Sequence, residues 1–532
     1  MRIAPLRMPQ FSPVLFAIAF AALVVALTAL ARRLPLPTPI LQVGAGLLVG
    51  LAPEVRMPEL APDLVFFVFL PPILWAAAFF TSLREFKANI RSISLLAVGL
   101  VLATSAAVAI AARALLPGLS WPVAIALGAI VSPPDAAAAA AIVSRLPVPR
   151  RVIAVLEGES LVNDASALIL YRTAVAAAVT GFFSWGESVV RFFIDAGVGT
   201  FVGLLVGWLI IRASRWTKDP LAETLLTLAG PYVAWLAAER LHVSAVLACV
   251  AGGLYLRQHL STAVGPMSRL QTRSVWDLVV FLLNATIFLL LGAQFGGLLR
   301  RVPAGELGIV VRTGAIIGAV VIVVRLVWVP IVTVMPRRLS RSIRRDNPTP
   351  PHWRPVFLVA WTSMRGIVSL ASALALPRTL ANGSPFPYRT EIILITMCVI
   401  MITLVLQGLT LAPIIRAFGF EPEQTHLEEE RLARREAARR GAEALDDLSR
   451  ESWVDRRDVE WLRAELQDRV RLQEHHGGST NGRRRLRAGM IGAERRMLVR
   501  LRNEGTISDE VLAELEQELD LEAIRLGAGD AR

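Results

Sequence analysis

The chain has 532 residues, 54% of them hydrophobic, and its mean hydropathy of +0.55 exceeds that of an ordinary soluble globular protein. A formal net charge of +13 raises the question of nucleic acid. However, the arginines fall in short loops and a tail, and no RNA- or DNA-binding signature accompanies them, so nucleic acid is excluded as a partner. Cys249 and Cys398, the two cysteines, each lie in an apolar run, which excludes a disulfide framework and a cysteine metal site.

The composition is that of a polytopic membrane protein in contact with the lipid bilayer. Met1 to Pro9 is weakly basic and leads into an apolar run from Phe11 to Leu30. No small-residue cleavage site follows, so this run reads as a first membrane helix rather than a signal peptide. Further apolar runs fall near 38–53, 61–80, 92–116, 122–143, 152–180, 188–212, 220–238, 243–258, 275–298, 306–334, 354–377 and 389–417. At roughly 17 to 25 residues per span, these predict about thirteen transmembrane helices, the second and ninth short enough to be tilted or partly re-entrant. Basic residues concentrate in alternate loops, including Arg32 and Arg33, Arg84 to Arg91, Arg145 to Arg151, Arg212 to Lys218, Arg257 to Arg273 and Arg337 to Arg345. Those loops are expected on the cytoplasmic side, with Arg300 and Arg301 the main exception. An odd number of spans then puts the N-terminus outside and the C-terminal tail inside.

After Phe420 the composition turns to Glu, Arg, Leu and Ala, with helical periodicity over Leu427 to Leu448 and Asp455 to Leu472. A turn is expected from His475 to Gly482, and Thr506-Ile507-Ser508-Asp509 resembles a capping box opening the last helix. This is a cytosolic helical domain, regulatory or oligomerising, or else a solvated tail. His475 and His476 read as a pH-sensing pair or as a solvated turn, and no ligand for the tail is indicated by its residues.

Two stretches put charge where a bilayer resists it. Leu156 to Asp164 carries Glu157, Glu159, Asn163 and Asp164 inside an apolar run. A charge near the bilayer centre costs roughly 3 kcal/mol on insertion scales, so such groups mark candidate functional sites. Helical spacing sets Ser160 over Asp164 and Glu159 over Asn163, two polar columns of which one binds a cation and the other braces it. Upstream, Pro133 and Pro134 break the fifth run next to Asp135, whose natural partner is Asp164. A counterpart at Ser363-Met364-Arg365-Gly366 breaks the twelfth run, seven spans later and in opposite orientation. Inverted repeats crossing at two broken helices are the expected architecture, with Asp135 and Arg365 at opposed helix ends.

Gly158-Glu159-Ser160-Leu161-Val162-Asn163-Asp164 resembles the Asn-Asp signature of the sodium/proton exchanger, NhaP-like branch of the monovalent cation/proton antiporters. Ser132 to Asp135 stands in the place of that family's Thr-Asp-Pro break. The resemblance continues through Phe69 to Leu74, Arg325, Trp361 to Leu370 and Gln407 to Leu411, covering most of residues 11–418. It implies that Asp164 is the cation and proton carboxylate, that Asp135 and Ser160 help to ligate the ion with Asn163 beside them, that Glu159 pairs with Arg325, and that Arg365 compensates charge at the second break. It further implies a homodimer, a transmembrane domain over 1–420 and a cytosolic helical domain over 421–532. Within the first, the core bundle is expected over about 92–181 and 305–418, and the dimerisation helices over about 11–80 and 188–298. Two departures stand out. Pro134 and Ala136 replace the Thr and Pro that flank the family's Asp, and Trp75 and Ala76 stand where many microbial relatives carry Phe-Glu.

A carboxylate in a dry setting that accepts either a proton or a sodium-sized ion suffices to couple the two fluxes. With Asn163 in place of a second aspartate, one-for-one electroneutral exchange of Na+ for H+ is expected. Transport would run across the cell (plasma or inner) membrane, without cofactor or enzymatic chemistry, and with K+/H+ exchange as the alternative. Each residue also has a structural reading: a helix-to-helix hydrogen bond for Asp164, a cap for Asp135, a back-bond to its own helix for Ser160, and bracing for Glu159, Arg325 and Arg365. Two other classes compete. An intramembrane aspartyl protease would use Asp135 and Asp164 as a proton-sharing pair, but their sequence contexts differ from that enzyme type. A cation channel would need a repeated filter-like loop, which is absent from the sequence.

Overall fold

The computed structural model describes residues 13–34, 36–52, 61–143, 146–182, 185–301, 304–339, 352–420, 424–451, 453–474, 479–504, 506 and 508–525. These form two compact units, Met1–Pro422 and Glu423–Arg532. The described residues are helical or connecting, apart from an isolated antiparallel bridge between Thr379 and Pro385.

In the first unit the helices follow the apolar runs. Seven among the described residues are long and apolar enough to cross a bilayer: Pro62–Phe80, Ile90–Leu115, Val190–Thr217, Pro220–Arg240, Pro266–Leu299, Gly308–Met335 and Arg389–Phe418. Arg150–Thr180, with 31 residues, has the length but carries the charges discussed above. The second run is a helix of 14 residues, Thr38–Leu51, whereas the ninth extends beyond its expected end to Ala245–Ala263. The fifth and twelfth runs are each split into half-helices. Trp121–Val131 and Ala136–Val143 flank Ser132 to Asp135, while Trp353–Trp361 and Ile367–Leu374 flank Thr362 to Gly366.

Within lipid there is little hydrophobic drive between helices, so close approach through small residues holds them together. Thr38–Leu51 and Pro266–Leu299 meet along Gly46, Gly50, Gly292 and Gly296, where an added Cβ would fall 2.0 to 2.7 Å from the facing backbone. Two helices, Pro62–Phe80 and Ile90–Leu115, are each widened by a π-helical turn, at Val65–Phe69 and Leu95–Leu100. The first precedes Pro71 and Pro72, whose missing N–H groups leave the Phe67 and Val68 carbonyls without helical donors. Tyr232 donates its hydroxyl to the Val68 carbonyl at 3.3 Å. At the second, the Trp328 indole donates to the Leu95 carbonyl at 3.2 Å, its ring lying where a side chain at Gly99 would stand.

Arg300, the exception to the loop-charge pattern, donates to the carbonyls of Ala52 at 2.6 Å and Gly50 at 3.5 Å. It therefore neutralises the C-terminal end of Thr38–Leu51, a local task that overrides the loop rule.

The second unit has two helical hairpins, Gln424–Leu448 against Arg456–Glu474 and Ser479–Asn503 against Asp509–Arg525. Ion pairs of Arg439 with Glu436 and Glu443, and of Arg440 with Glu443, line one exposed face at helical spacing. Two expectations are corrected here. Ser479 to Gly482 belong to a helix rather than the turn. The last helix is capped by Ser508, whose hydroxyl accepts from the Val511 N–H at 3.2 Å, and not by Thr506. One hydroxyl placed directly before the helix start meets the free N–H groups better than one two residues earlier. His475 and His476 lie outside the described residues.

The glycine contact gives a stability test. Gly292→Val is expected to lower the thermal unfolding midpoint of the detergent-solubilised protein, since overpacking costs about 1–3 kcal/mol. Gly44→Val on the same helix pair, where a Cβ meets nothing within 4 Å, should leave the midpoint unchanged.

Candidate functional site

The two breaks meet. The Asp135 N–H donates to the Met364 carbonyl at 2.7 Å, tying the backbone of one interruption to that of the other. Breaking a helix leaves carbonyls unpaired at the end of its first half, and in a bilayer the protein itself must satisfy them. Arg365 does so for Trp121–Val131: Nε donates to the Val131 carbonyl at 2.8 Å and Nη2 to the Ser132 carbonyl at 3.1 Å, while Nη1 binds the carbonyl and hydroxyl of Ser363. A guanidinium at a helix C-terminus also opposes the negative end of the helix dipole. Asp135 does the converse at the start of Ile367–Leu374. Its carboxylate lies against Gly366, where a Cβ would sit 1.7 Å from Oδ2. Glycine is required there by that approach and not by its φ of −140°.

Beside the crossing runs Arg150–Thr180. Asp164 is 6% exposed, and its carboxylate is an electrostatic neighbour of Asp135. Asn163 is fully buried; its Nδ2 donates to the Pro134 carbonyl at 3.3 Å, which pins this helix to the first break, and its Oδ1 has no protein partner. Glu159 and Arg325 form a bidentate ion pair, Nη2 to Oε2 at 2.8 Å and Nη1 to Oε1, with Arg325 0% exposed and its Nε donating to the Val359 carbonyl at 3.2 Å. The two columns are thus split. Glu159 and Asn163 bond to neighbouring elements, while half-buried Ser160 and buried Asp164 share the other column.

Several residues of this unit were given no site role by the sequence. Thr403 on Arg389–Phe418 accepts from the Arg365 N–H at 3.2 Å. Thr396, Thr403 and Gln407 stand at i, i+7 and i+11, one face of that helix, and all are completely buried. The Thr396 hydroxyl and both amide atoms of Gln407 lack a protein partner. Three polar residues at helical spacing in an apolar run were a legible signal. Arg389 caps the other end of Ile367–Leu374, donating to Leu374 O at 3.0 Å and Leu376 O at 2.9 Å. Trp75 is fully buried, with its ring against Gly230 and Gly252, so a large apolar side chain fills the position where the relatives' motif has Phe.

Residues 18–417 match the family described as sodium/hydrogen exchanger, transmembrane. The chain is 36% identical over 523 residues to an uncharacterized Na(+)/H(+) exchanger of Mycobacterium tuberculosis, a match spanning 96% of this chain and 95% of the relative. It is 34% identical over 386 residues to a sodium, potassium, lithium and rubidium/H(+) antiporter of Bacillus pumilus, spanning 71% of this chain and 57% of that one. Among solved structures, the sodium proton antiporter MjNhaP1 of Methanocaldococcus jannaschii superposes with a TM-score of 0.60 at 19% identity, over 77% of this chain and 99% of that one, and so shares the fold. The class is that of the multi-pass cation/proton antiporters. Within it, the chain belongs to the sodium/hydrogen exchanger family.

Removing one member of a buried ion pair strands the other charge at about 3–5 kcal/mol, whereas replacing both with apolar groups is often neutral. Glu159→Leu and Arg325→Met singly are therefore expected to lower the unfolding midpoint strongly, and the double variant to recover most of the loss. Gly366→Ala should leave the protein folded and membrane-inserted but displace the Asp135 carboxylate and abolish transport, measured by ion flux in proteoliposomes.

Proposed function

We propose that this antiporter exchanges one Na+ for one H+ with Asp164 as the carboxylate that both compete for. The observation that carries the reading is that buried Asp164 sits on the helix which Asn163 ties to Pro134, the neighbour of Asp135, where the two broken helices cross, in a family of sodium/hydrogen exchangers. Asp135 and Ser160 add oxygen ligands for the cation. Asn163, holding the Pro134 carbonyl with its Nδ2, keeps only its Oδ1 to offer. Pro134 thereby serves through its carbonyl where the family's motif has a threonine hydroxyl.

Three other charges near the crossing have holding tasks. Glu159 and Arg325 neutralise one another and lock the transport helix to the Gly308–Met335 span. Arg365 holds the first break. Asp164 crosses the membrane either protonated or cation-bound, and the bare carboxylate does not cross because of its desolvation cost. The ion is cargo, so no resident cofactor enters the cycle. The Bacillus relative, named for four alkali cations, supports K+ as a second cargo at the same site.

By the same reading the protein resides in the cell membrane as a homodimer joined through the helices of 11–80 and 188–298. Residues 92–181 and 305–418 form the moving core, and residues 421–532 form a cytoplasmic regulatory domain.

In proteoliposomes enclosing a pH dye, added Na+ should release protons at a rate that Asp164→Asn abolishes. Persistence of wild-type flux in that variant would overturn the assignment. Under equal ion gradients, a potential imposed with a gradient of the membrane-permeant anion thiocyanate should leave the Na+-driven rate unchanged if exchange is one for one.

A further inference from the structure

Charge in the second unit is segregated by helix. Ser479–Asn503 carries eight arginines against one glutamate, and Asp509–Arg525 carries seven carboxylates against one arginine. The two face each other through the Arg487–Glu522 ion pair at 2.6 Å and the Arg495–Asp520 pair, with Ile491 buried between them. The opposite face of the basic helix is different. Leu486, Met490, Ala493 and Met497 recur at i, i+4, i+7 and i+11, and so form one stripe about 17 Å long at 1.5 Å per residue. Leu486 is 72% exposed, Met490 49% and Met497 48%, and Ala493 is exposed as well. Arg496 and Arg500 border the stripe, exposed and without an ion pair among the described residues.

An apolar stripe bordered by arginines on a basic helix has the pattern of a segment lying in a membrane interface, its apolar face among acyl chains and its guanidinium groups on anionic headgroups. A second copy of the same stripe is a poor occupant, because pairing would bring Arg496 and Arg500 of one chain against those of the other. The bilayer is also the surface to which this unit is permanently tethered: Arg389–Phe418 spans it, and the next described helix begins at Gln424. Tethering raises the effective concentration of that surface far above that of any soluble partner.

We infer that Ser479–Asn503 docks on an anionic lipid surface through Leu486, Met490, Ala493 and Met497, with Arg496 and Arg500 selecting acidic headgroups. The inference depends on the membrane embedding of the first unit and not on which cation is carried.

The test uses the full chain in nanodiscs, with Cys249→Ala and Cys398→Ala removing the native thiols and bimane attached at Ala493→Cys. In discs of phosphatidylcholine mixed with phosphatidylglycerol, the emission should shift to the blue relative to phosphatidylcholine alone. Molar salt should reverse the shift, since exposed charge pairing is screened. The Arg496→Glu/Arg500→Glu variant should lose the shift while keeping its Na+-driven proton flux, which separates this outcome from any failure of the transport reading. Emission identical in the two lipids overturns the inference. So does a blue emission that persists in neutral lipid and in detergent, which would place another protein segment or a second copy on the stripe.

Discussion

Arg365 binds the carbonyls of Val131 and Ser132, and the rest of the core depends on that contact. A helix interrupted inside a bilayer exposes carbonyls that no solvent can reach, and each one left bare costs several kcal/mol. Placing a guanidinium from the second interruption on the carbonyls of the first makes each break a condition for the other. The Asp135 N–H to Met364 carbonyl bond closes the arrangement from the opposite direction. Asp135 then lies at the start of one half-helix and Arg365 at the end of another, so the two dipole ends and the two side-chain charges are paired crosswise.

Other buried polar groups near the crossing are taken up by partners on neighbouring elements. Glu159 is consumed by Arg325, which in turn is fixed to the Val359 carbonyl. Asn163 is consumed through its Nδ2 by Pro134. Asp164, one residue further along the same helix, is buried as well.

Much of this was legible in the chain. Pro133-Pro134-Asp135 announces a break because proline removes a donor and restricts its predecessor, and Glu159 to Asp164 announces a site because lipid penalises charge. The spacing of polar residues also told Ser160 and Asp164 from Glu159 and Asn163. Other features depend on contacts made across the fold. The π-helical turns before Pro71 and at Leu95 to Leu100 need Tyr232 and Trp328 from distant helices. Arg300 reads as an exception to a loop rule until the end of Thr38–Leu51 is found beneath it. The stripe of Thr396, Thr403 and Gln407 was visible as periodicity but acquires meaning only through the Thr403 to Arg365 bond.

By itself, then, the sequence determined that the chain is a many-helix membrane protein with an ionisable centre, because burial in hydrocarbon permits so few charges that each survivor carries information. It also determined where two helices must stop, since that is a local property of proline and glycine. Which group answers which was decided by tertiary structure alone. Nothing along the chain assigns Arg365 to the carbonyls of Val131 and Ser132, Asn163 to Pro134 or Arg389 to Leu374, because a hydrogen bond is settled by distance and direction between segments that are remote in sequence.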